Sequence, residues 1–323
     1  MSDPPDEFAW IASLRPLTGG DPVALDLLDD AAVLPSRPGF DLVISKDAMV
    51  EGVHFLAGEA PDVIARRLIR VSLSDLAAKA AAPYGYFLMT AWPKDRDWGY
   101  RAAFAAGLAE DGAEFGISLL GGDTVSINGP LVLSATVLGW VPEGRAVPRS
   151  GARARDVLIT CGAVGDGWLG LKAARGEIPD PGGRLANRYR LPTPLLCLRD
   201  ALRAHAHAAA DVSDGLLADA GHIAEASGVG VGIDLEALNL SPEAEAWLGD
   251  RPDKDAARLA LATGGDDYAI VCAVDPADEA AFCAAVRATG SVAARAGRFM
   301  EGAGVTVRAA GAPIRAERLG WRH

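Results

Sequence analysis

Aspartate recurs along this chain beside glycine or at the end of an apolar run. The instances are Asp29-Asp30, Asp47, Asp75, Gly121-Gly122-Asp123, Asp211-x-Ser213-Asp214 and Gly264-Gly265-Asp266-Asp267. Glycine lets a backbone turn sharply or approach a ligand closely, and an adjacent carboxylate offers oxygen to a hard cation. Magnesium takes oxygen ligands, keeps several waters and bridges to substrate phosphates, so a few dispersed aspartates suit it better than a closed cage. Taken singly, each aspartate is better explained as a turn former or helix N-cap. Their joint recurrence after apolar strands is what points to a metal.

Other residues leave two readings open. His54, in VEGVHF just after Asp47, either packs beside Phe55 or contacts a ligand. Arg145 and Arg149, in GRAVPRSGA, are either counter-charges for phosphates or solvated linker residues. Familiar phosphate cradles are missing: there is no G-x-x-x-x-G-K-[ST] loop and no G-x-G-x-x-G opening a helix after a strand. CGAVGDGWLG is glycine-rich but reads as a strand-to-helix turn. No G-x-S-x-G elbow supports a serine hydrolase.

The elements that must position these residues alternate between strand and helix. Strands are expected at 41–45 (running directly into Lys46 and Asp47), 84–92, 117–120 (ending at GGD) and 131–141. Helices are expected at 62–81, which carries Asp75, and at 97–115. The segment 142–156, rich in Pro, Gly and Arg, makes the best boundary. Beyond it come strands at 157–161, 208–212 (ending at SDG), 229–235, 268–274, 292–299 and 305–308. Helices follow at 166–175, 216–227 and 276–289. The pattern predicts two α/β domains, residues 1–148 and 149–323. A faint internal echo pairs SDLAAKAA with SDGLLADA, each placing Ser-Asp near the start of a small apolar helix.

Composition bounds the possibilities. The chain has 323 residues, half of them hydrophobic, and a formal net charge of -12. That is a packed globular protein, and the acidity argues against a nucleic-acid partner. It also means that phosphate ligands need metal ions or local Arg and Lys. Four widely spaced cysteines without C-x-x-C fit reduced, mostly buried thiols rather than zinc. An acidic start without an apolar core, and no apolar run long enough for a bilayer, lead to the expectation of a soluble, cytoplasmic protein with no membrane partner.

In their order, SKDAMVEGVHF, SLSDLAA, LLGGDT, GRAVPRSGA, DVSDGLLAD and GGDDY resemble the motif set of the thiamine-monophosphate kinase family. That family sits in the superfamily of aminoimidazole ribonucleotide synthetase and selenophosphate synthetase. The resemblance runs from Asp29 to Trp321. It implies a two-domain α/β (α+β) fold and a homodimer whose N-terminal domains build a shared β-barrel. It further implies direct transfer of the γ-phosphoryl group of ATP to thiamine monophosphate. By matching motif positions, Asp30, Ser45, Lys46 (through its backbone), Asp47, Asp75, Asp123, Asp211 and Asp214 would surround several Mg²⁺ ions. Gly122, Asp123, Arg149 and Ser213 would hold ATP. His54, Asp266 and Trp321 would face thiamine monophosphate.

A phosphate acceptor needs no dedicated base near neutral pH, so catalysis would be positioning plus electrostatics, with Asp47, Asp75 and Asp123 at its centre. The chain departs from the family pattern at Lys46 (commonly Thr), Asp266 (commonly Glu) and Leu27-Leu28, where a glycine-containing segment is usual. Two other readings stand beside this one: a superfamily enzyme with another acceptor, and a nucleotide-binding relative without turnover. The first loses ground because no cysteine precedes Cys161 and the chain ends in GWRH.

Overall fold

The computed structural model describes residues 7–321. It divides into two compact units, one formed by residues up to Leu76 with Ala81–Gly144, the other by Ala77–Ala80 with residues from Arg145 onward.

The first unit runs α1 (Glu7–Leu14), β1 (Phe40–Val50), α2 (Pro61–Ala78, its last two residues in the other unit), β2 (Ala82–Pro93), α3 (Trp98–Phe115), β3 (Ser118–Ile127) and β4 (Val132–Pro142). Its four-stranded sheet has the order β1-β4-β2-β3 and is open, with β1 and β3 at the edges. Only β2 and β3 are parallel, as the α3 crossover between them requires. Asp97 caps α3 by accepting from the Tyr100 N–H at 2.9 Å, and Gly116 ends it in the left-handed conformation. The buried Asp111 of α3 receives a two-pronged bond from Arg70 of α2 (2.8 and 2.9 Å) and another from Arg66 (2.8 Å). A carboxylate buried with paired guanidinium forks is satisfied and geometrically specific. It therefore fixes α2, the helix that carries Asp75, against α3.

Two strands run further than the sequence suggests. β1 continues through Lys46 and Asp47 to Val50, because every residue from Phe40 to Val50 has a partner on β4. β3 does not end at Leu120: Gly121, Gly122 and Asp123 pair with Phe87, Leu88 and Met89. A Cβ at Gly122 would lie 1.9 Å from the Leu88 carbonyl oxygen, so glycine is required there by the neighbouring strand.

The second unit continues with β5 (Val157–Cys161), α4 (Asp166–Ala174), α5 (Arg184–Arg190), α6 (Arg199–His205), β6 (Ala206–Asp211), α7 (Leu216–Ser227), β7 (Gly230–Asp234), α8 (Pro242–Gly249), α9 (Lys254–Thr263), β8 (Ile270–Val274), α10 (Glu279–Ala288), β9 (Ala293–Met300), β10 (Gly304–Ala309) and β11 (Ala312–Ile314). Its seven-stranded sheet has the order β11-β10-β7-β9-β5-β8-β6, with β7 and β10 the only parallel pair. The apolar run IVCAV of β8 is buried throughout because both faces of the sheet are covered. Val271 and Ala273 join a core with Leu216, Leu217 and Ile223 of α7, while Ile270, Cys272 and Val274 join one with Leu202, Phe282 and Val286.

All four cysteines are free thiols. Cys161 and Cys272 are buried, Cys283 is half-buried and Cys197 is exposed, so burial is less general than the composition suggests. No helix of the described residues is long and apolar enough to cross a membrane.

Candidate active site

In the first unit, strand alternation sorts the candidate residues onto two faces. Ser45 and Asp47 turn toward α2, where the Ser45 hydroxyl donates a short hydrogen bond to the Asp75 carboxylate. Burial and the nearby Asp75 charge push the Asp47 carboxyl up to about 6, and a hydrogen bond with Ser72 draws it partly back. Two carboxylates and a hydroxyl held this closely are a hard-oxygen donor set. The Asp47 backbone carbonyl is already engaged, accepting from Ser134 Oγ at 2.7 Å.

Lys46 faces the other way. With Asp30, Gly122, Asp123 and its cross-strand partner Thr136 it lines a cavity of about 570 Å³. The Asp123 carboxylate accepts from the Thr124 N–H at 2.9 Å and is otherwise exposed toward this space. Lys46 and Asp47, adjacent in the chain, thus serve opposite faces.

The VEGVHF segment is a tight turn beyond β1. Its Gly52 N–H donates to the Phe55 carbonyl at 2.8 Å, and the His54 N–H donates to the Val50 carbonyl at 2.9 Å. Glu51 secures the turn, pairing with Arg96 at 2.8 Å and accepting from the Leu131 N–H at 3.2 Å. His54 Nδ1 accepts from the Val50 N–H at 3.1 Å. That bond fixes the tautomer: a neutral ring carries its proton on Nε2. Phe55 is buried and His54 half-buried, so the segment is packed as well as turned.

In the second unit three segments meet. Asp211 ends β6, and the SDG turn that follows holds Ser213 and Asp214. The GGDDY loop before β8 donates its Asp266 N–H to the Ser213 carbonyl at 2.7 Å, and its Asp267 and Tyr268 N–H groups to the Val212 carbonyl. The C-terminal segment arrives through the Trp321 N–H, which donates to the Asp214 carbonyl at 2.9 Å. The Trp321 side chain remains exposed. Asp266 lines a separate cavity of about 260 Å³ with Asp166, Arg188, Asn239 and Tyr268. Arg149 is exposed, and Arg145 donates to the Arg203 carbonyl at 2.8 Å.

Two acids to which the sequence assigns no site role shape this region. Asp219, in the first turn of α7, accepts from the Asp214 and Gly215 N–H groups. Burial, with Asp211 and Asp214 nearby, pushes it up to about 8, against the pull of those two N–H donors. One ligand atom from each of Asp214, Asp219 and His222 lies within 4.8 Å of the others. Asp267 accepts from the Gly165 and Gly167 N–H groups, both at 2.8 Å, and burial holds it well above the usual carboxylate range. A signal existed for Asp219, because Asp219 and His222 stand three apart on a helix that opens after SDG. Asp267 belongs to the recurring GGDD signal, which does not tell its role from that of Asp266.

Comparison with known proteins follows the same two-part division. Residues 28–141 match the model for AIR synthase related protein, N-terminal domain, and residues 153–310 match AIR synthase related protein, C-terminal domain. The chain is 61% identical over 321 residues to thiamine-monophosphate kinase of Caulobacter vibrioides, covering 99% of this chain and 91% of that protein. Among solved structures it resembles thiamine-monophosphate kinase from Stenotrophomonas maltophilia, with a TM-score of 0.83 and 35% identity, covering 93% of this chain and 96% of the other. It also resembles AaThiL complexed with AMPPCP and TMP, with a TM-score of 0.78 and 26% identity, covering 98% and 96%.

Proposed function

Because this chain belongs to the thiamine-monophosphate kinase family, we propose that it transfers the γ-phosphoryl group of ATP to thiamine monophosphate, giving thiamine diphosphate and ADP. The observation that carries this reading is the 61% identity sustained over 99% of the chain. The AMPPCP and TMP bound to a relative of the same fold support the same pair of substrates. A terminal phosphate oxygen of thiamine monophosphate attacks the γ-phosphorus; that P–O bond forms as the bond to the ADP oxygen breaks. The acceptor is already an anion, so no general base is needed, and the chain's task is to align two polyanions in line.

The donor set fits Mg²⁺: Ser45, Asp47 and Asp75 present hard oxygens, and burial beside the Asp75 charge makes an ionised Asp47 costly without a cation. Asp30, Asp123, Asp211, Asp214 and the Lys46 backbone complete the proposed metal residues. Bound Mg²⁺ would neutralise phosphate charge and favour the developing negative charge on the leaving oxygen. Gly122, Asp123, Arg149 and Ser213 are assigned to ATP, with the Lys46 ammonium beside Asp123 in the same cavity as a further cation for phosphate. For the acceptor, His54 would offer its Nε2–H, Asp266 a carboxylate and Trp321 an exposed indole face.

A second copy of the chain is part of the proposal. The sheet of the first unit is open at β1 and β3, and Ile44 on β1 and Val125 on β3 are exposed. Pairing two such sheets would cover both. Domains 1–148 and 149–323 and a cytoplasmic setting complete this reading. Kinetics on Asp266→Asn test the acceptor assignment: the KM for thiamine monophosphate should rise while that for ATP holds. An equal loss of both would contradict it.

A further inference from the structure

We propose that Asp267 is a positioning residue that sets the acceptor specificity of the site by locking the backbone of its neighbour, Asp266. The proposal rests on the reading of Asp266 as a contact to thiamine monophosphate.

Asp266 lies in the left-handed region, at φ 65°, where a non-glycine residue rarely sits unless its surroundings hold it there. Three contacts do so. Its N–H donates to the Ser213 carbonyl at 2.7 Å, which ties it to the SDG turn. Its carbonyl lies against Gly167, where a Cβ would come within 2.1 Å of the Asp266 oxygen, so only glycine permits the approach. The third is the Asp267 carboxyl, which spans the N–H groups of Gly165 and Gly167 with one oxygen each, both at 2.8 Å. The Gly167 contact and the Asp267 carboxyl act on the same short stretch, the turn that opens α4. Asp267 therefore clamps the GGDDY loop onto the α4 N-terminus and fixes the backbone from which the Asp266 side chain leaves. Asp266 lines the cavity shared with Arg188, Asn239 and Tyr268.

The chemistry demands a carboxyl group rather than any polar side chain of the same size. Both of its contacts are N–H donors, so both side-chain atoms must accept. Asparagine has the same shape but presents one NH₂, which would face a backbone N–H donor to donor. The clamp would open on that side, and Asp266 would lose its fixed orientation. The Asp267 carboxyl group bonds to the α4 turn and not to the residues assigned above to ATP or metal. Its loss should appear on the acceptor and spare the nucleotide.

The test is steady-state kinetics on the full-length protein carrying Asp267→Asn, with Gly167→Ala as an independent disturbance of the same contact and Asp266→Asn as the reference. Asp267→Asn should raise the KM for thiamine monophosphate about tenfold, the scale of one unpaired buried hydrogen bond, with the KM for ATP unchanged. Gly167→Ala should shift the same constant in the same direction. If Asp266→Asn raises that KM but Asp267→Asn and Gly167→Ala do not, or if the two KM values rise together, the positioning role is overturned while the acceptor assignment stands. If Asp266→Asn itself leaves the KM unchanged, the acceptor assignment fails first and takes the proposal with it. Should Asp267→Asn be recovered unfolded, Gly167→Ala decides alone. Failure of both to fold assigns Asp267 to the fold rather than to specificity.

Discussion

The Asp219 carboxyl group accepts hydrogen bonds from the backbone N–H groups of Asp214, at 3.1 Å, and Gly215, at 3.2 Å. A buried acid inside α7 thus holds the turn that presents Asp214, and burial, together with the charges of Asp211 and Asp214, raises it to about 8. The SDG motif is shaped by a residue outside it.

Replacing that acid tests the arrangement. At pH 6, below its raised value, Asp219 is protonated and repels nothing, so Asp219→Ala removes only the two hydrogen bonds. The variant should lose about 1–3 kcal/mol in urea unfolding at pH 6. By pH 9 the wild type carries a buried charge beside Asp211 and Asp214, and the deficit should narrow. A deficit that grows with pH would contradict the assigned repulsion.

The raised acids also set the pH profile of the metal-free protein. Asp47 moves from 3.8 to about 6 and Asp219 from 3.8 to about 8, so the native state retains protons that the unfolded chain has released. Unfolding free energy then falls as pH rises through these windows and levels above the upper one. In thermal melts without divalent metal, Tm should fall by about 5 °C or more between pH 5 and pH 8. Added Mg²⁺ competes with those protons, and so should raise Tm more at pH 8 than at pH 5.

Asp47→Asn should separate stability from activity. The substitution removes the buried charge that faces Asp75, so the metal-free variant should melt higher than wild type at pH 8. Turnover should fall about 100-fold or more, the scale of losing one electrostatic contact to the transition state. Loss of activity together with loss of stability would mean that Asp47 serves packing instead.

Most of the strands could be read from the sequence because their apolar runs are long and buried, as with the IVCAV of β8. The ends of two were hidden by the residues that matter chemically. Lys46 and Asp47 are poor strand formers held in β1 by the full β4 ladder, and Gly121-Gly122 looks like a turn but is a close strand contact. The helices α1, α5, α6, α8 and α9 were not anticipated, although Ser241 and Asp253 cap α8 and α9 with side-chain bonds of the usual kind. The two Ser-Asp echoes differ in place: Asp75 lies deep within α2, whereas Asp214 precedes α7. Asp47, Asp75 and Asp123 were legible as recurring carboxylates, but their division between two sheet faces was not. Asp219 and Asp267 act on backbone N–H groups, and sequence does not mark which carboxyl meets which amide.

The central claim is direct phosphoryl transfer to thiamine monophosphate, and one quenched time course tests it. Protein, Mg²⁺, ATP labelled in its γ-phosphate and thiamine monophosphate are mixed, and all phosphorylated species are separated. The account predicts label in thiamine diphosphate in one-to-one ratio with ADP, no ADP formed without thiamine monophosphate, and no labelled protein at any time. Acceptor-independent ADP release, or ATP binding without labelled thiamine diphosphate, would contradict it.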